Sequence, residues 1–303
     1  MKQDIYKKCL NHLHSYDDTW EFLSQLRKDS ESYHDAILSF NVERYEPPVF
    51  RGKTPPSPVV ELLTLLDKTK VRQWQSLGYC CFHLYRNKKL SEAQLVTMLK
   101  LLLNIAVRFK ILSQRFNVIE KDIPKLANSL FTAHGNKAKL ASEYAKAVKA
   151  LKNIILKNVP DKEISAVLKN DYQFTDNDLA FVTLRIIASK KYGEHGKKWS
   201  EKLTLEHVLP IKHKKHWKNV ANADSLKYNL GNLLLVVLEK NTELANKSFK
   251  DKKAIYNRLK VVDFVDNAKL KYAKANQETW CKQFIPKRTE DLTGQLIASL
   301  SIK

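Results

Sequence analysis

The chain has 303 residues, enough for one large domain or two of ordinary size, and its hydrophobic share of 44% suffices for a buried core. Its 53 Lys and Arg against 32 Asp and Glu give a net charge of +21, which favours a polyanionic partner, nucleic acid first and an anionic membrane surface second. No apolar run approaches the roughly 18 residues of a membrane-spanning helix. The N-terminal residues also lack the apolar segment of a signal peptide, so we expect neither feature.

The cysteine, glycine and proline residues indicate which metal sites and which fold class to expect. The four cysteines form no CxxC pair, so a structural zinc site is not expected, and reduced thiols suit a cytoplasmic protein. Only 7 glycines and 9 prolines occur. Because sheet-rich folds need many tight turns, this scarcity favours long helices. We therefore predict a mainly α-helical protein.

The first part of the chain is predicted to be helical. Residues 2–45 place apolar side chains at helical spacing and are predicted to form one or two amphipathic helices. The proline-rich stretch 45–58 is predicted to be a non-helical connection, because proline removes a backbone donor and clashes with the preceding turn of a helix. A buried helix is expected over 59–77.

Further helices are predicted towards the middle of the chain. A buried helix is expected over 91–117, where Ser91 and Gln94 suit the capping box that begins a helix. The stretch 137–157 is rich in Ala, Lys and Leu, which have high helix propensity. Residues 160–187 are predicted to form two short helices.

The pattern of the sequence changes after residue 190. The polar stretch 190–202 is predicted to be a loop, and the short alternating run 203–210, which ends in proline, is predicted to be a strand. A second strand is predicted over 229–241 after a glycine turn, followed by a helix over 241–260. Two strands and a helix in this order form a compact ββα unit.

Four polar residues of this ββα unit form a candidate site. Glu206 and His207 are adjacent, so in a flat strand their side chains point to opposite faces. If the strand ends there, as Pro210 indicates, the chain can bend. Asn232 then approaches from the turn before the second strand, and Asn241 from the start of the helix, so that the four residues converge on one small pocket.

The residue types suit hydrolysis of a phosphodiester. The hard cations Mg²⁺ and Mn²⁺ prefer oxygen ligands, which the carboxylate of Glu206 and the amide of Asn241 supply. A neutral His207 can take a proton from water near pH 7, and the cation would stabilise the developing negative charge. We therefore predict a single divalent cation at Glu206 and Asn241, with His207 as the general base.

Each of these residues also has an ordinary structural interpretation. His207 could be a partly buried core histidine, and Glu206 could be a surface carboxylate paired with a lysine. Asn232 suits a turn after glycine without any catalytic contact. Asn241 could be a helix N-cap, in which case Asn246 would replace it as a ligand.

Basic side chains surround the candidate site. One group follows the first strand and a second lies along the predicted helix: Lys212, Lys214, Lys215 and Lys218, then Lys247, Lys250, Lys252 and Lys253. Phosphate contacts from such residues give sequence-independent affinity for double-stranded DNA. His213 and His216 lie among them and contact phosphate, assist the metal or are solvated, whereas Trp217 is expected in the core.

The order and spacing of these residues resemble a known domain. The residues concerned are Glu206-His207-Val208-Leu209-Pro210, Trp217, Leu230-Gly231-Asn232-Leu233, Asn241, Asn246, Phe249 and Lys252. Together they are similar to the C-terminal HNH domain of the GmrSD-type modification-dependent restriction endonucleases. The same domain forms the C-terminal half of the SspE and BrxU phage-defence proteins.

The resemblance implies an HNH (ββα-metal) endonuclease that nicks DNA as part of a defence against phage. By position, Glu206 resembles the first metal ligand and His207 the general base. Asn232 resembles the asparagine that holds the loop and orients the histidine. Asn241 resembles the last metal ligand, where many HNH enzymes have His, and Asn246, Phe249 and Lys252 resemble the motif that anchors the helix.

Two domains are predicted on the same basis. A helical domain is expected over 1–165, and a nuclease domain over 166–303, with its ββα core at about 203–260 and a helical segment over 265–300. Family members usually carry an N-terminal half with a DGQQR-like motif, associated with nucleotide use and with sensing of modified DNA, and that motif does not occur here. A C-terminal part of a longer protein, or a nuclease subunit with a sensor or NTPase partner, is therefore expected. The alternative is a catalytically inactive subunit that binds nucleic acid or acts as a scaffold.

Overall fold

The computed structural model describes residues 57–170, 172–192, 203–218, 220–259 and 276–302. Three predictions lie wholly or mostly outside these described residues, namely the helices over 2–45, the connection over 45–58 and the loop over 190–202. Of the predicted C-terminal helical segment, residues 265–275 also lie outside them.

Helices make up most of the described chain, which confirms the mainly α-helical class. Those before the first strand are α1 Ser57–Lys68, α2 Gln75–Arg86, α3 Glu92–Ile111, α4 Asp122–Ala133, α5 Lys137–Asn158, α6 Asp161–Lys169 and α7 Asn177–Tyr192. The elements that follow are β1 Leu203–His207, α8 Ala223–Leu226, β2 Leu233–Val237, α9 Leu238–Leu244, α10 Phe249–Arg258 and α11 Ile285–Ser299, the last preceded by the helical turns Gln277–Thr279 and Trp280–Phe284. Within the described ranges, none of the helices has both the length and the apolar character needed to cross a membrane.

Two of the predicted helices are shorter than expected. The helix predicted over 59–77 is two helices, α1 and α2, and Lys70 between them has a left-handed backbone with φ 57°. The helix predicted over 91–117 ends at Ile111, and Ser113 just beyond it is also left-handed with φ 51°. A right-handed helix cannot continue through such a residue. Neither residue is the glycine or asparagine that normally signals this conformation in a sequence.

Other helix boundaries agree with the sequence pattern. Ser91 is the N-cap of α3, where its hydroxyl accepts from the Gln94 amide at 3.3 Å and its own amide donates to the Gln94 side chain at 2.9 Å. This is the predicted capping box. The helix predicted over 137–157 is α5, and the two short helices predicted within 160–187 are α6 and α7. Helix α4 was not predicted.

A hydrophobic core joins the helices before β1 to β2 and α11. The fully buried guanidinium of Arg108 in α3 crosses this core. It donates to the carbonyl oxygens of Val159 and Leu300, and it forms an ion pair with Asp161 at the start of α6. The packing is therefore continuous across the predicted domain boundary at residue 165.

The two strands form an antiparallel hairpin in which Glu206 lies opposite Leu234. Every residue of β2 is buried. Leu233 and Leu235 pack in the core shared with the N-terminal helices, whereas Leu234 and Val236 pack in a second core. Because successive side chains of a strand point to opposite faces, β2 separates the two cores.

The boundaries of the ββα unit differ from the prediction. The second strand, predicted over 229–241, is confined to Leu233–Val237 and follows a 3₁₀ turn. The helix predicted over 241–260 begins earlier, at Leu238, and is divided into α9 and α10 at Ala245, which has a left-handed φ of 36°. The division turns α10 back across the hairpin, where it can contact β1.

Aromatic rings fill the second core. The Trp217 ring meets the Phe249 ring edge-on at 5.6 Å, and Phe249 in turn packs on Trp280 at 5.8 Å. The Trp217 indole donates to the carbonyl oxygen of Lys247 at 3.0 Å. Trp217 is thus a core residue, as predicted, and it holds the loop after β1 against the start of α10.

Candidate active site

His207 is the last residue of β1 and lies in a largely buried position. Its side chain is about nine-tenths buried, and its ring meets the Tyr228 ring edge-on at 6.0 Å. Among the residues that the structure describes, no donor or acceptor reaches its Nε2 atom. A buried ring nitrogen with no partner is unusual, because such groups are normally hydrogen-bonded. In the tautomer that carries its proton on Nδ1, this nitrogen has a lone pair free to accept a proton.

The surroundings of His207 keep its imidazole neutral. Burial first, and then the positive charges of Lys252 and Lys227, lower the pKa of His207 from the usual 6.5 to about 4. A base whose pKa lies this low is unprotonated throughout the neutral pH range. The imidazole is thus in the form that accepts a proton.

This pKa shift predicts a specific loss of stability in mild acid. The unfolded chain binds a proton at His207 below about pH 6.5, whereas the folded chain resists protonation until about pH 4. The contribution to stability is therefore complete above pH 6.5 and is lost as the pH falls towards 4. Between pH 7 and pH 5 we expect the free energy of unfolding to fall by about 2 kcal/mol more in the wild type than in His207→Gln. Urea unfolding at the two pH values measures this difference, and equal losses in both proteins would contradict the assignment.

Glu206 lies under α10 in a buried triad, which we define as Glu206, Lys252 and Tyr256. Its carboxylate accepts from the Lys252 ammonium at 2.6 Å and from the Tyr256 hydroxyl at 2.9 Å. Glu206 is 3% exposed and Lys252 is 0% exposed. Burial raises the pKa of Glu206, and Lys252 and Tyr256 oppose that shift, while burial lowers the pKa of Lys252 and Glu206 opposes it. Two buried charges thus compensate each other.

The triad corrects one predicted role. Lys252 was expected to contact DNA phosphate, but its ammonium is completely buried and donates to Glu206 and to the His207 carbonyl oxygen. The sequence does contain a signal for this burial. Lys252 follows Phe249 by three residues and precedes Ile255 by three, so helical periodicity places it on the apolar face of α10.

Asn232 holds the loop that follows β1. Its side-chain nitrogen donates to the carbonyl oxygens of Leu209 and Lys227 at 2.9 and 3.0 Å. Its side-chain oxygen accepts from the Leu209 amide at 2.7 Å and from the Trp280 indole at 3.2 Å. Asn232 is completely buried, and these four bonds satisfy its amide, so it holds the loop in position. This geometry agrees with the role of holding the loop and not with a directly catalytic one.

Asn241 lies within α9 and not at a helix start, so it is not an N-cap. Its amide nitrogen donates to the Thr204 hydroxyl at 2.8 Å and to the Leu205 carbonyl oxygen at 2.9 Å. Asn241 therefore fastens α9 to β1. Asn246, the predicted substitute, lies in the exposed turn between α9 and α10.

The predicted ligands do not form a ready site for Mg²⁺ or Mn²⁺. The Glu206 carboxylate is buried against an ammonium group, which repels a second cation. Over the described part of the chain, no group of three or more His, Cys, Asp or Glu could hold a metal ion. Glu206 in this arrangement serves as the counterion of Lys252.

The C-terminal helix supports the site, and the sequence reasoning missed its contribution. Arg288 is buried and donates to the carbonyl oxygens of Leu230, Gly231 and Leu233, at the turn that carries Asn232 into β2. The backbone of Gly231 passes so close to α11 that a Cβ atom there would lie 2.0 Å from the Ile285 carbonyl oxygen. The glycine in the Leu-Gly-Asn motif was the available signal, since a close approach of two backbones demands glycine.

Most of the predicted DNA-contacting lysines are accessible. Those exposed to solvent are Lys212, Lys214, Lys215, Lys218, Lys247 and Lys250, and Lys253 is partly buried. The bond from Trp217 to the Lys247 carbonyl oxygen joins the segment that carries the first four of these lysines to the segment that carries the others. His216 is exposed, but His213 is buried with its Nδ1 3.4 Å from the Ile211 carbonyl oxygen. We define the basic surface as Lys212, Lys214, Lys215, Lys218, Lys247 and Lys250.

A comparison with known families gives one match. The model of the family described as GmrSD restriction endonucleases, C-terminal domain, matches residues 136–295. No curated protein and no solved structure matches the chain. The matched range runs from the N-cap of α5 into α11, so it covers more than half of the chain and all the site residues described above. It begins before the predicted domain boundary at residue 166.

Proposed function

The chain belongs to the family of the C-terminal domain of GmrSD restriction endonucleases, and from this premise we propose that it is an HNH-type endonuclease that nicks double-stranded DNA. The observation that carries the proposal is the neutral imidazole of His207 at the end of β1, whose Nε2 has no partner. Restriction of modified phage DNA, in company with a sensor or NTPase partner, is the biological setting that the family implies.

In the proposed mechanism His207 acts as the general base. Its Nε2, in the tautomer with the proton on Nδ1, accepts a proton from the water that attacks the phosphorus, and the pKa of about 4 keeps the ring neutral at neutral pH. Asn232 fixes the loop directly after His207 through Leu209, so the ring is held in one place. A base that is already held in position loses less entropy when the reactive geometry forms.

We also propose a requirement for Mg²⁺ or Mn²⁺, which the family resemblance implies. Such an ion would supply stabilisation of the negative charge on phosphate and on the leaving oxygen, and the described residues form no ready group of ligands that would hold it. The Glu206 carboxylate is paired with Lys252. We therefore assign roles in the reaction only to His207 and to the residues that hold it.

Incubation of the purified chain with supercoiled plasmid tests the proposal. We expect conversion to the open-circular form in Mg²⁺ or Mn²⁺ and no conversion in EDTA. Modified and unmodified plasmids, compared side by side, test the modification dependence. DNA that is bound in a gel-shift experiment but never cut under any of these conditions would contradict the nuclease and support the inactive binding subunit.

The basic surface predicts a salt-dependent contribution to DNA affinity. Each phosphate contact contributes about −0.9 to the slope of log K against log salt concentration. The double variant Lys214→Glu/Lys215→Glu should therefore bind DNA more weakly, with a slope less negative by about 2. Fluorescence anisotropy over a salt series measures both quantities.

The control for this experiment is the variant Lys149→Glu/Lys157→Glu, which makes the same charge change on exposed positions of α5. Its slope should match that of the wild type. Equal losses in the two double variants would show that net charge alone, and not the basic surface, governs DNA affinity.

A further inference from the structure

The buried triad touches the backbone of His207 directly. The Lys252 ammonium donates to the His207 carbonyl oxygen at 2.7 Å and to the Glu206 carboxylate at 2.6 Å. One charged group on α10 thus joins two consecutive residues at the end of β1. Hydrogen bonds from a charged donor are shorter and stronger than those between neutral groups.

The remaining contacts of the triad keep Lys252 in place. Tyr256, one turn further along α10, donates its hydroxyl to the same carboxylate oxygen at 2.9 Å. Phe249, one turn earlier, packs between Trp217 and Trp280 in the second core. Helix α10 is therefore fixed on both sides of Lys252, and the ammonium is not exposed to solvent.

A buried ion pair does not by itself indicate a gain in stability, because the cost of removing two charges from water offsets much of their attraction. An apolar pair of similar volume would fill the same space. The ammonium here has a second use, since it donates to the carbonyl oxygen of His207, the residue whose Nε2 has no partner.

We propose that the buried triad is a positioning device for His207, in which Glu206 holds Lys252 as its counterion and is not a ligand of a catalytic cation. This inference rests on the proposed function insofar as it concerns cleavage. Lys252 and Glu206 are positioning residues, and their effect on the reaction passes through the backbone at His207.

The test uses the full chain with the variants Lys252→Met and Glu206→Gln/Lys252→Met, and with Lys149→Met on α5 as the matched control. The double variant removes both buried charges and keeps the volume, so it should fold with a thermal midpoint close to that of the wild type. In both triad variants kcat for plasmid nicking should fall about 10²-fold, because a base misplaced by about 1 Å costs a factor of that order. The KM for DNA and the Mn²⁺ concentration that gives half-maximal rate should not change.

A second measurement does not depend on cleavage. Hydrogen exchange followed by mass spectrometry should show faster exchange in peptides that cover residues 203–210 of both triad variants, with unchanged exchange in peptides from α5. Lys149→Met should match the wild type in every measurement.

Two results would overturn the proposal. If Lys252→Met binds Mn²⁺ more tightly and cuts faster, Glu206 is a cation ligand that Lys252 blocks. If the double variant cuts at the wild-type rate with unchanged exchange, the triad serves stability alone. A wild-type chain that fails to cut DNA contradicts the proposed function, whereas the exchange measurement still decides whether the triad orders the end of β1.

Discussion

Replacing His207 with alanine is expected to reduce plasmid nicking by about 10²- to 10⁴-fold, the range that a general base contributes. The imidazole is neutral and its Nε2 has no partner, and the alanine variant leaves no group in its place to accept the proton. DNA affinity should stay near the wild-type value, because the exposed lysines of the basic surface are untouched. Single-turnover cleavage at saturating protein measures the rate, and anisotropy measures the affinity.

His134→Ala is a suitable control for this experiment, since His134 is exposed and lies at the end of α4, in the helical region before β1. It should cut at the wild-type rate. A His207→Ala protein that is folded and still cuts within a factor of about 10 would exclude a general base at this position.

Replacing Gly231 with alanine is expected to destabilise the protein by about 3 kcal/mol, at the upper end of the usual cost of overpacking. The added Cβ atom would lie 2.0 Å from the Ile285 carbonyl oxygen and 2.6 Å from the Thr289 hydroxyl. The nearer atom belongs to the backbone of α11 and cannot rotate away, so the helix itself must move. Arg288, which donates to the carbonyl oxygen of Gly231, would move with it.

The matched control is Gly294→Ala on the same helix. No atom lies within 4 Å of the Cβ position at Gly294, and alanine is the better helix former, so this variant should be stabilised by about 0.5–1 kcal/mol. Urea unfolding of both variants gives the comparison. Destabilisation of Gly231→Ala by less than about 1 kcal/mol would show that α11 can shift away from this turn without loss.

The residues of the site were predictable to different degrees. The motif around His207 and Asn232 singled out both residues, and the structure places Asn232 where it holds the loop after His207. The role of Glu206 could not be read in the same way, because a carboxylate next to a histidine suits a cation as well as an ammonium group. Its partner Lys252 is 46 positions away along the chain.

The number of lysines in a segment likewise does not predict which of them are buried. A count of basic residues treats Lys250, Lys252 and Lys253 alike, yet one is exposed, one completely buried and one partly buried. Successive residues of a helix point in directions about 100° apart, so neighbouring lysines cannot share one face. The helical period of α10 places Lys252 on the same face as Phe249 and Ile255, and this position predicts its burial.

The sequence by itself determined the features that depend on local chemistry: the basic charge, the capping box at Ser91, the mainly helical class and the family. Only the tertiary structure decided which groups neutralise one another, namely Lys252 with Glu206, and which backbones touch, namely Gly231 with Ile285. The physical reason is the distance along the chain over which each effect acts. Propensity, capping and periodicity act over a few residues, whereas desolvation and close packing depend on which distant segments the fold brings into contact.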